Sequence, residues 1–184
     1  MSTNPRFLRR FLIAFVALFA LNIDIALADG SKELVSQSRA ALEKLYAKAP
    51  KAKQIEEKSA GVLVFPDIVR AGLVVGGSGG KGVLFKKGKT AAYYQSGSVS
   101  VGLQAGIQSF GYAVFFTTEP ALKAFENSEG WDIGTAPTVV VVDSGLAREL
   151  DTTTLKSDVY AFTFDQKGLM AGIALKGQKI TKLK

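Results

Sequence analysis

The chain has no cysteine and no histidine among its 184 residues. Without cysteine there is no disulfide framework and no thiol nucleophile, so stability must come from a buried core. Without histidine the chain lacks the usual general base near neutral pH and the commonest ligand of zinc, copper and haem iron. We therefore expect a protein that is not an enzyme and that carries no metal and no cofactor. A hydrolase built on serine and lysine is the remaining catalytic alternative.

The first 28 residues have the pattern of a secretory signal. Arg6, Arg9 and Arg10 precede an apolar run at residues 11–21, and the sequence ALA at 26–28 supplies small residues for cleavage. The run is shorter than the roughly 20 residues that a membrane-spanning helix needs, so cleavage is favoured over an uncleaved anchor. We expect a single mature domain at 29–184 that is periplasmic or secreted, with peripheral membrane association.

The chain is basic, with 23 Lys and Arg against 16 Asp and Glu. Removing the leader takes away three Arg and one Asp and leaves a net charge of +5. Positive charge favours anionic surfaces such as lipid head groups or nucleic acid, although it also serves solubility. Because an exported protein rarely meets nucleic acid, we predict anionic phospholipid as the partner and no nucleic acid.

Residues 31–49 predict an amphipathic helix that Ser31 can cap, with apolar residues spaced by three and four. Its opposite face and the following segment are rich in basic residues. Two interpretations stay open: the helix packs on a sheet with a solvated basic face, or it lies on a membrane. The candidate lipid-binding residues are those basic side chains and the lysines of a predicted turn: Lys32, Arg39, Lys44, Lys48, Lys51, Lys53, Lys58, Lys86, Lys87 and Lys89.

From Gly61 onward the apolar period changes to two, which predicts strands. A short strand at 61–65 is expected to end at Pro66. The clearest alternation, at 98–108, predicts one half-buried strand, and the β-branched run at 138–142 predicts a strand buried on both faces. Further strands are predicted at 112–116, 160–164, 169–175 and 180–183. Thr118 predicts the start of a short helix, and Trp131 follows it as a core or interfacial residue.

Eleven of the 19 glycines lie between residues 72 and 111, which predicts tight bends or close backbone approach in a curved sheet. The sequence GSGGKG at 77–82 matches a dinucleotide-binding fingerprint by letter. However, a strand follows it and Gly102 stands where an acid is needed, so we predict a hairpin turn between strands at 70–76 and 82–87. The fold class is α+β: an N-terminal amphipathic helix, then a glycine-rich, curved, mostly antiparallel sheet or partly closed barrel with one or two short helices.

Four segments together carry a family resemblance: AGVLVFP at 60–66, GGSGGKGVL at 76–84, VGLQAG at 101–106 and KGLMAGIALKG at 167–177. In this order they resemble the SYLF domain family of lipid-binding and actin-regulator domains. The resemblance implies a compact α+β domain with a helix ahead of a glycine-rich sheet. It also implies binding of lipid through the amphipathic helix and basic residues. An exported relative would not meet cytoplasmic actin.

Two functional hypotheses follow. In the first, the protein is a module of the cell envelope that docks on anionic phospholipid through the basic amphipathic helix. In the second, it is a structural or protein-interaction protein of the periplasm, in which the helix packs on the sheet and edge strands meet a protein partner. The position of the helix's apolar stripe, buried or exposed, distinguishes the two.

Overall fold

The computed structural model describes residues 30–72, 75–101, 106–133, 139–142, 157–167, 175 and 177–183. The predicted leader lies outside these residues, as does most of the strand predicted at 169–175. The division into a leader and a single domain therefore stays a prediction.

Three helices and eight strands form the described part of the chain. The helices are α1 at 30–48, α2 at Pro50–Glu57 and α3 at Glu119–Glu126. The strands are β1 Gly61–Gly72, β2 Val75–Lys86, β3 Lys89–Val101, β4 Gly106–Phe116, β5 Trp131–Asp132, β6 Val139–Val142, β7 Val159–Lys167 and β8 Lys179–Lys182.

The strands form one curled sheet in the order β5-β8-β3-β2-β1-β4-β7-β6. Neighbouring strands are antiparallel except β6 and β7, which are parallel. The predicted α+β class, with a helix ahead of a curved and mostly antiparallel sheet, is confirmed. The order also places the hairpin of β1 and β2 between β3 and β4, although β3 and β4 follow each other in sequence.

Both faces of the sheet bury apolar side chains. On one face, α1 and α2 cover a cluster that includes Val64, Phe85 and Phe115. On the other, Leu122 and Phe125 of α3 join a second cluster. Alternate residues of each central strand therefore enter different clusters, as the two-residue period of a strand requires. We refer below to the α1 face and the α3 face of the sheet.

Thr118 and Pro50 mark the starts of two helices, whereas Ser31 does not cap α1, because the helix already includes Gly30. Thr118 caps α3, its Oγ1 accepting a hydrogen bond from the backbone N–H of Ala121 at 3.4 Å. Pro50 is the first residue of α2, where its missing N–H leaves no helical hydrogen bond unmade. Trp131 is half-buried, and its ring lies 5.5 Å from that of Phe125 and 5.9 Å from that of Phe116.

Three strand predictions are wrong in detail. The strand from Gly61 does not end at Pro66, because the register of β1 shifts between Phe65 and Ile68 and this bulge accommodates a residue without an N–H. Residues 77–80 are not a turn but lie within β2, paired with β3. The predicted strand at 98–108 is divided between β3 and β4, which are not neighbours in the sheet.

The β-branched run does form a strand, but it is not buried on both faces. β6 is the last strand of the described sheet and pairs only with β7, so Val141 remains 41% exposed.

Glycines inside β2 serve close backbone approach, which the glycine cluster predicts. A Cβ at Gly82 would lie 2.6 Å from the carbonyl oxygen of Val64 and 2.6 Å from Cδ1 of Phe65. Because the Val64 oxygen belongs to the backbone, it cannot easily shift to make room for a methyl group. At Gly97 of β3 a Cβ would meet nothing closer than the carbonyl oxygen of Ser78, at 3.5 Å.

We predict that Gly82→Ala destabilises the fold by about 1–3 kcal/mol, because the added methyl group overpacks a closed site. Gly97→Ala is the matched control and should change the free energy of unfolding by less than about 0.5 kcal/mol, as surface substitutions usually do. Urea unfolding followed by the fluorescence of Trp131, the single tryptophan, measures both. Equal losses in the two variants would contradict the steric argument.

Candidate functional site

The apolar stripe of α1 is buried against the sheet. Leu42, Leu45 and Tyr46 lie in the same cluster as Val64 and Phe85. Because these side chains already contact the sheet, the helix cannot also insert them into a membrane. Of the two interpretations left open by the sequence, packing on the sheet is the one observed, and only the outer, polar side of α1 is available to a partner.

The structure brings Arg39 and the lysines of the β2–β3 turn together. The Nη2 of Arg39 donates a hydrogen bond to the carbonyl oxygen of Gly88 at 2.8 Å, and its guanidinium lies 4.9 Å from the centre of the Phe85 ring. Lys87 and Gly88 both have positive φ, 48° and 72°, as a tight hairpin turn of this hand requires. Arg39 thus fixes the turn beside α1, with Lys87 and Lys89 exposed.

Three other candidates contact carboxylates. The Nζ atoms of Lys48 and Lys44 lie 2.6 Å and 3.7 Å from Asp165 at the end of β7. Lys86 lies 2.7 Å from Glu126 of α3. These ion pairs neutralise part of the positive charge that the sequence assigns to lipid binding.

The remaining candidates are available to a partner. Lys32, Lys51, Lys58, Lys87 and Lys89 make no hydrogen bond or ion pair with any residue that the structure describes, while the Nζ of Lys53 lies 5.8 Å from the centre of the Tyr46 ring. Acidic residues interrupt this basic surface, with Glu33, Glu43 and Glu57 exposed among the lysines. The candidates therefore form a mixed surface with an excess of positive charge.

A second surface, which the sequence analysis missed, lies on the α1 face beyond the helix. Here Val99 is 83% exposed, Ile107 73%, Val75 63% and Val69 45%. The strand register places Val99, Gly77, Ala71 and Ile107 in one row across β3, β2, β1 and β4. A shallow depression of about 520 Å³ lies between Ala71, Gly72, Val75, Gly106 and Ile107. We call this surface the apolar sheet end.

The strict alternation at 98–108 is the sequence pattern from which the apolar sheet end could have been predicted. Alternation shows that one side of a strand is apolar, but it does not show whether another element covers that side. The half-buried strand expected there is therefore wrong at Val99 and Ile107, because α1 covers only the part of the face nearer the β2–β3 turn.

The α3 face of the same sheet end is polar and hydrogen-bonded. The Nε2 of Gln178, a buried residue, donates to the hydroxyls of Ser78 at 2.7 Å and Ser98 at 3.2 Å, and the hydroxyl of Ser96 donates to its Oε1 at 2.9 Å. This network ties the segment before β8 to β2 and β3. The sheet end is therefore polar on one face and apolar on the other.

Residues 76–80, GGSGG, also match the G-x-S-x-G pattern of a nucleophile elbow by letter. The elbow requires a sharp turn from a strand into a helix. Ser78 instead lies within β2, and its hydroxyl contacts Ser98 and Gln178 rather than a base. The geometry does not support a serine nucleophile at this position.

Shifted pKa values among the described residues reinforce the ordinary charge states. Burial raises the pKa of Tyr94 to about 12 and raises the pKa values of Tyr46 and Tyr112 further, so all three phenols stay neutral. The hydrogen bond from Lys48 lowers the pKa of Asp165, against a smaller opposing effect of burial. None of these groups is moved toward neutral pH, where catalytic acids and bases usually titrate.

The fold and its surfaces define a small α+β domain with one basic and one apolar exposed area. Residues 97–184 match the Ysc84 family model, described as "Las17-binding protein actin regulator". The match bears out the SYLF resemblance of the motifs over those residues. None of the curated proteins matches the chain.

No helix in the described ranges is long and apolar enough to cross a bilayer.

The Asp165 contacts give a test of how α1 is held. Asp165 has a φ of 50°, a conformation that asparagine also tolerates, so Asp165→Asn removes the charge and retains the backbone. We expect a loss of about 0.5–1 kcal/mol in the free energy of unfolding at neutral pH, because both lysines are largely exposed to solvent.

The loss should depend on pH in one direction. Because the folded pKa of Asp165 is lowered, its ion pairs stabilise the fold fully above the ordinary carboxyl pKa, and this stabilisation disappears as the pH falls through the folded pKa. Urea unfolding of both proteins across the acid range measures the difference. A difference that stayed constant down to the lowest pH would contradict the ion-pair assignment.

Proposed function

We propose that this protein is a non-enzymatic module that binds the anionic phospholipid surface of a membrane in the cell envelope. The observation that carries the proposal is the set of lysines along α1, α2 and the β2–β3 turn that have no acidic partner among the described residues. The family model describes actin regulators that bind Las17, and only the general class, a lipid-binding or regulatory domain, is taken from that relationship.

The mode of binding must be electrostatic at the helix. Its apolar stripe contacts the sheet, so α1 and α2 can offer only charge to lipid head groups. A Lys near an anionic membrane contributes about 1 kcal/mol, so the five available lysines together support reversible docking. Export through the predicted leader would place the protein where such membranes are its natural surface.

The absence of catalysis is part of the proposal. The sequence has no histidine or cysteine, and the shifted pKa values of the described residues keep tyrosines neutral and Asp165 charged. None of these shifted groups is prepared to exchange a proton near neutral pH.

Sedimentation with vesicles tests the proposal. The mature protein should bind vesicles of phosphatidylcholine mixed with phosphatidylglycerol at low salt and should not bind vesicles of phosphatidylcholine alone. Binding should fall steeply as the Debye length shortens from about 30 Å at 0.01 M salt to about 8 Å at 0.15 M. No association with the anionic vesicles at low salt would refute the proposed function.

The double variant Lys32→Glu, Lys51→Glu tests the contribution of the helices. Both positions lie in the first turn of a helix, where glutamate is favourable, so the fold should be retained. We expect binding to weaken by more than about tenfold. The matched control Lys123→Glu, Lys182→Glu makes the same charge change on the α3 face and should have a clearly smaller effect; an equal loss would show that net charge alone determines binding.

The alternative, a structural or protein-interaction role in the periplasm, is favoured by two observations. The apolar stripe of α1 is buried, and β6 forms an edge of the described sheet with Val141 exposed. An open edge strand can pair with an added strand from a partner. A stoichiometric protein partner recovered with the mature protein, together with no vesicle binding, would support this role over lipid binding.

A further inference from the structure

The strands of the apolar sheet end are poor in charge. The sequence contains no charged residue from Ala71 to Gly80 or from Thr90 to Thr118, in a chain that is 21% charged. These stretches include the last two residues of β1, the outer half of β2, nearly all of β3 and all of β4, and Arg70, just before the first stretch, lies over the Phe110 ring on the α3 face. A surface formed from four uncharged strand ends, with Val75, Val99 and Ile107 exposed on one face, is suited to an apolar environment rather than to water.

Lysines border this surface on its inner side. In the row of residues that contains Val69, the strand register places Lys179 of β8 at one end and Lys167 of β7 at the other. Lys81 lies two residues further in along β2, and all three lysines are exposed. Asp67, two residues before Val69, is an exposed acidic residue near this border, so the three lysines leave it net positive.

This arrangement matches the layers of an anionic membrane. Gly79 lies in the row that contains Lys167 and Lys179, and Val75 lies four residues further out along β2. At a rise of about 3.3 Å per residue, the apolar part of the sheet extends about 13 Å beyond these two lysines. The hydrocarbon core of a bilayer is about 30 Å thick, so this length reaches less than halfway through it. The lysines would then lie at the level of the phosphates.

The unpaired strand edges limit how deeply the apolar sheet end can enter a bilayer. Beyond Gly97, β3 has no outer neighbour among the described strands, and neither does β4 before Ser109. Their outward N–H and C=O groups need water or head groups, because an unpaired peptide group in hydrocarbon costs several kcal/mol. The surface is therefore suited to the boundary between head groups and acyl chains, not to crossing the bilayer.

We propose that the apolar sheet end inserts Val75, Val99 and Ile107 of its α1 face into the surface of an anionic bilayer, with Lys81, Lys167 and Lys179 on the phosphates. This inference rests on the proposed function and identifies the part of the molecule that anchors it. Because α1 lies on the same face of the sheet, a membrane approached from that side also meets the basic outer side of the helix.

The absence of native cysteine allows a direct test with single labelled positions. Val99→Cys and Val141→Cys are each labelled with an environment-sensitive fluorophore; Val141 is an exposed apolar residue on β6, away from the apolar sheet end. On addition of phosphatidylcholine–phosphatidylglycerol vesicles, the label at 99 should shift to the blue and be quenched by lipids that carry a quencher on the acyl chain. The label at 141 should do neither.

Charge substitution gives an independent measurement. The double variant Val99→Asp, Ile107→Asp should lose at least about tenfold in vesicle affinity, whereas Val141→Asp should retain the affinity of the wild type. Both positions are exposed, so the free energy of unfolding should change little, and urea unfolding checks this.

The outcomes separate the site from the function. If the wild type binds the anionic vesicles but the label at 99 does not shift and the aspartate variant binds normally, the insertion site is wrong and lipid binding stands. If the wild type does not bind, both proposals fail. If the label at 99 shifts with protein concentration in the absence of vesicles, a second copy of the chain occupies the surface, and the insertion proposal is overturned.

Discussion

The packing of α1 on one part of one sheet face is the contact on which the rest of the structure depends. It buries the apolar stripe of the helix against Val64, Phe85 and their neighbours, and so provides the α1-face core of a protein that has no disulfide. The same packing decides which surfaces remain open. The helix turns its charged side outward and leaves the outer parts of β1 to β4 uncovered on that face. The basic surface and the apolar sheet end thus have one cause.

Much of the fold follows from the sequence because its signals are local. The stripe spacing predicts α1, Thr118 predicts the start of α3, an apolar run marks β4 and alternation marks β7. What local patterns cannot give is which elements become neighbours. The run GSGGKG has the composition of a turn, yet it is a strand segment, because Gly80 and Gly82 must pass close to the bulge of β1. This close approach depends on the pairing of β2 with β1, a contact between strands that the local sequence of β2 does not reveal.

In the candidate site, too, local features are predictable from the sequence and contacts are not. The basic residues could be identified in the sequence, but their partners could not, since Lys48 and Asp165 are 117 positions apart. The strand at 98–108 was expected to be half-buried because an apolar side gives the same alternating pattern whether it is covered or exposed. Only the position of α1 in the fold shows that the apolar side of this segment is exposed. The family motifs, by contrast, were sufficient to indicate the family, and the match at residues 97–184 agrees with the two motifs that lie there.

The position of the β1–β2 hairpin has a consequence for how the chain reaches this shape. The stretch that matches the family begins within β3, but the sheet it contributes to has β1 and β2 at its centre, between β3 and β4. The later strands therefore have no continuous surface of their own on which to assemble. β3 joins the hairpin through the tight β2–β3 turn, whereas β4, which pairs with β1, and β8, which pairs with β3, meet their neighbours only after long loops have closed. Such an order of assembly is slow compared with that of a helical bundle of equal length. Contacts between residues far apart in the sequence therefore set the pace at which this sheet forms.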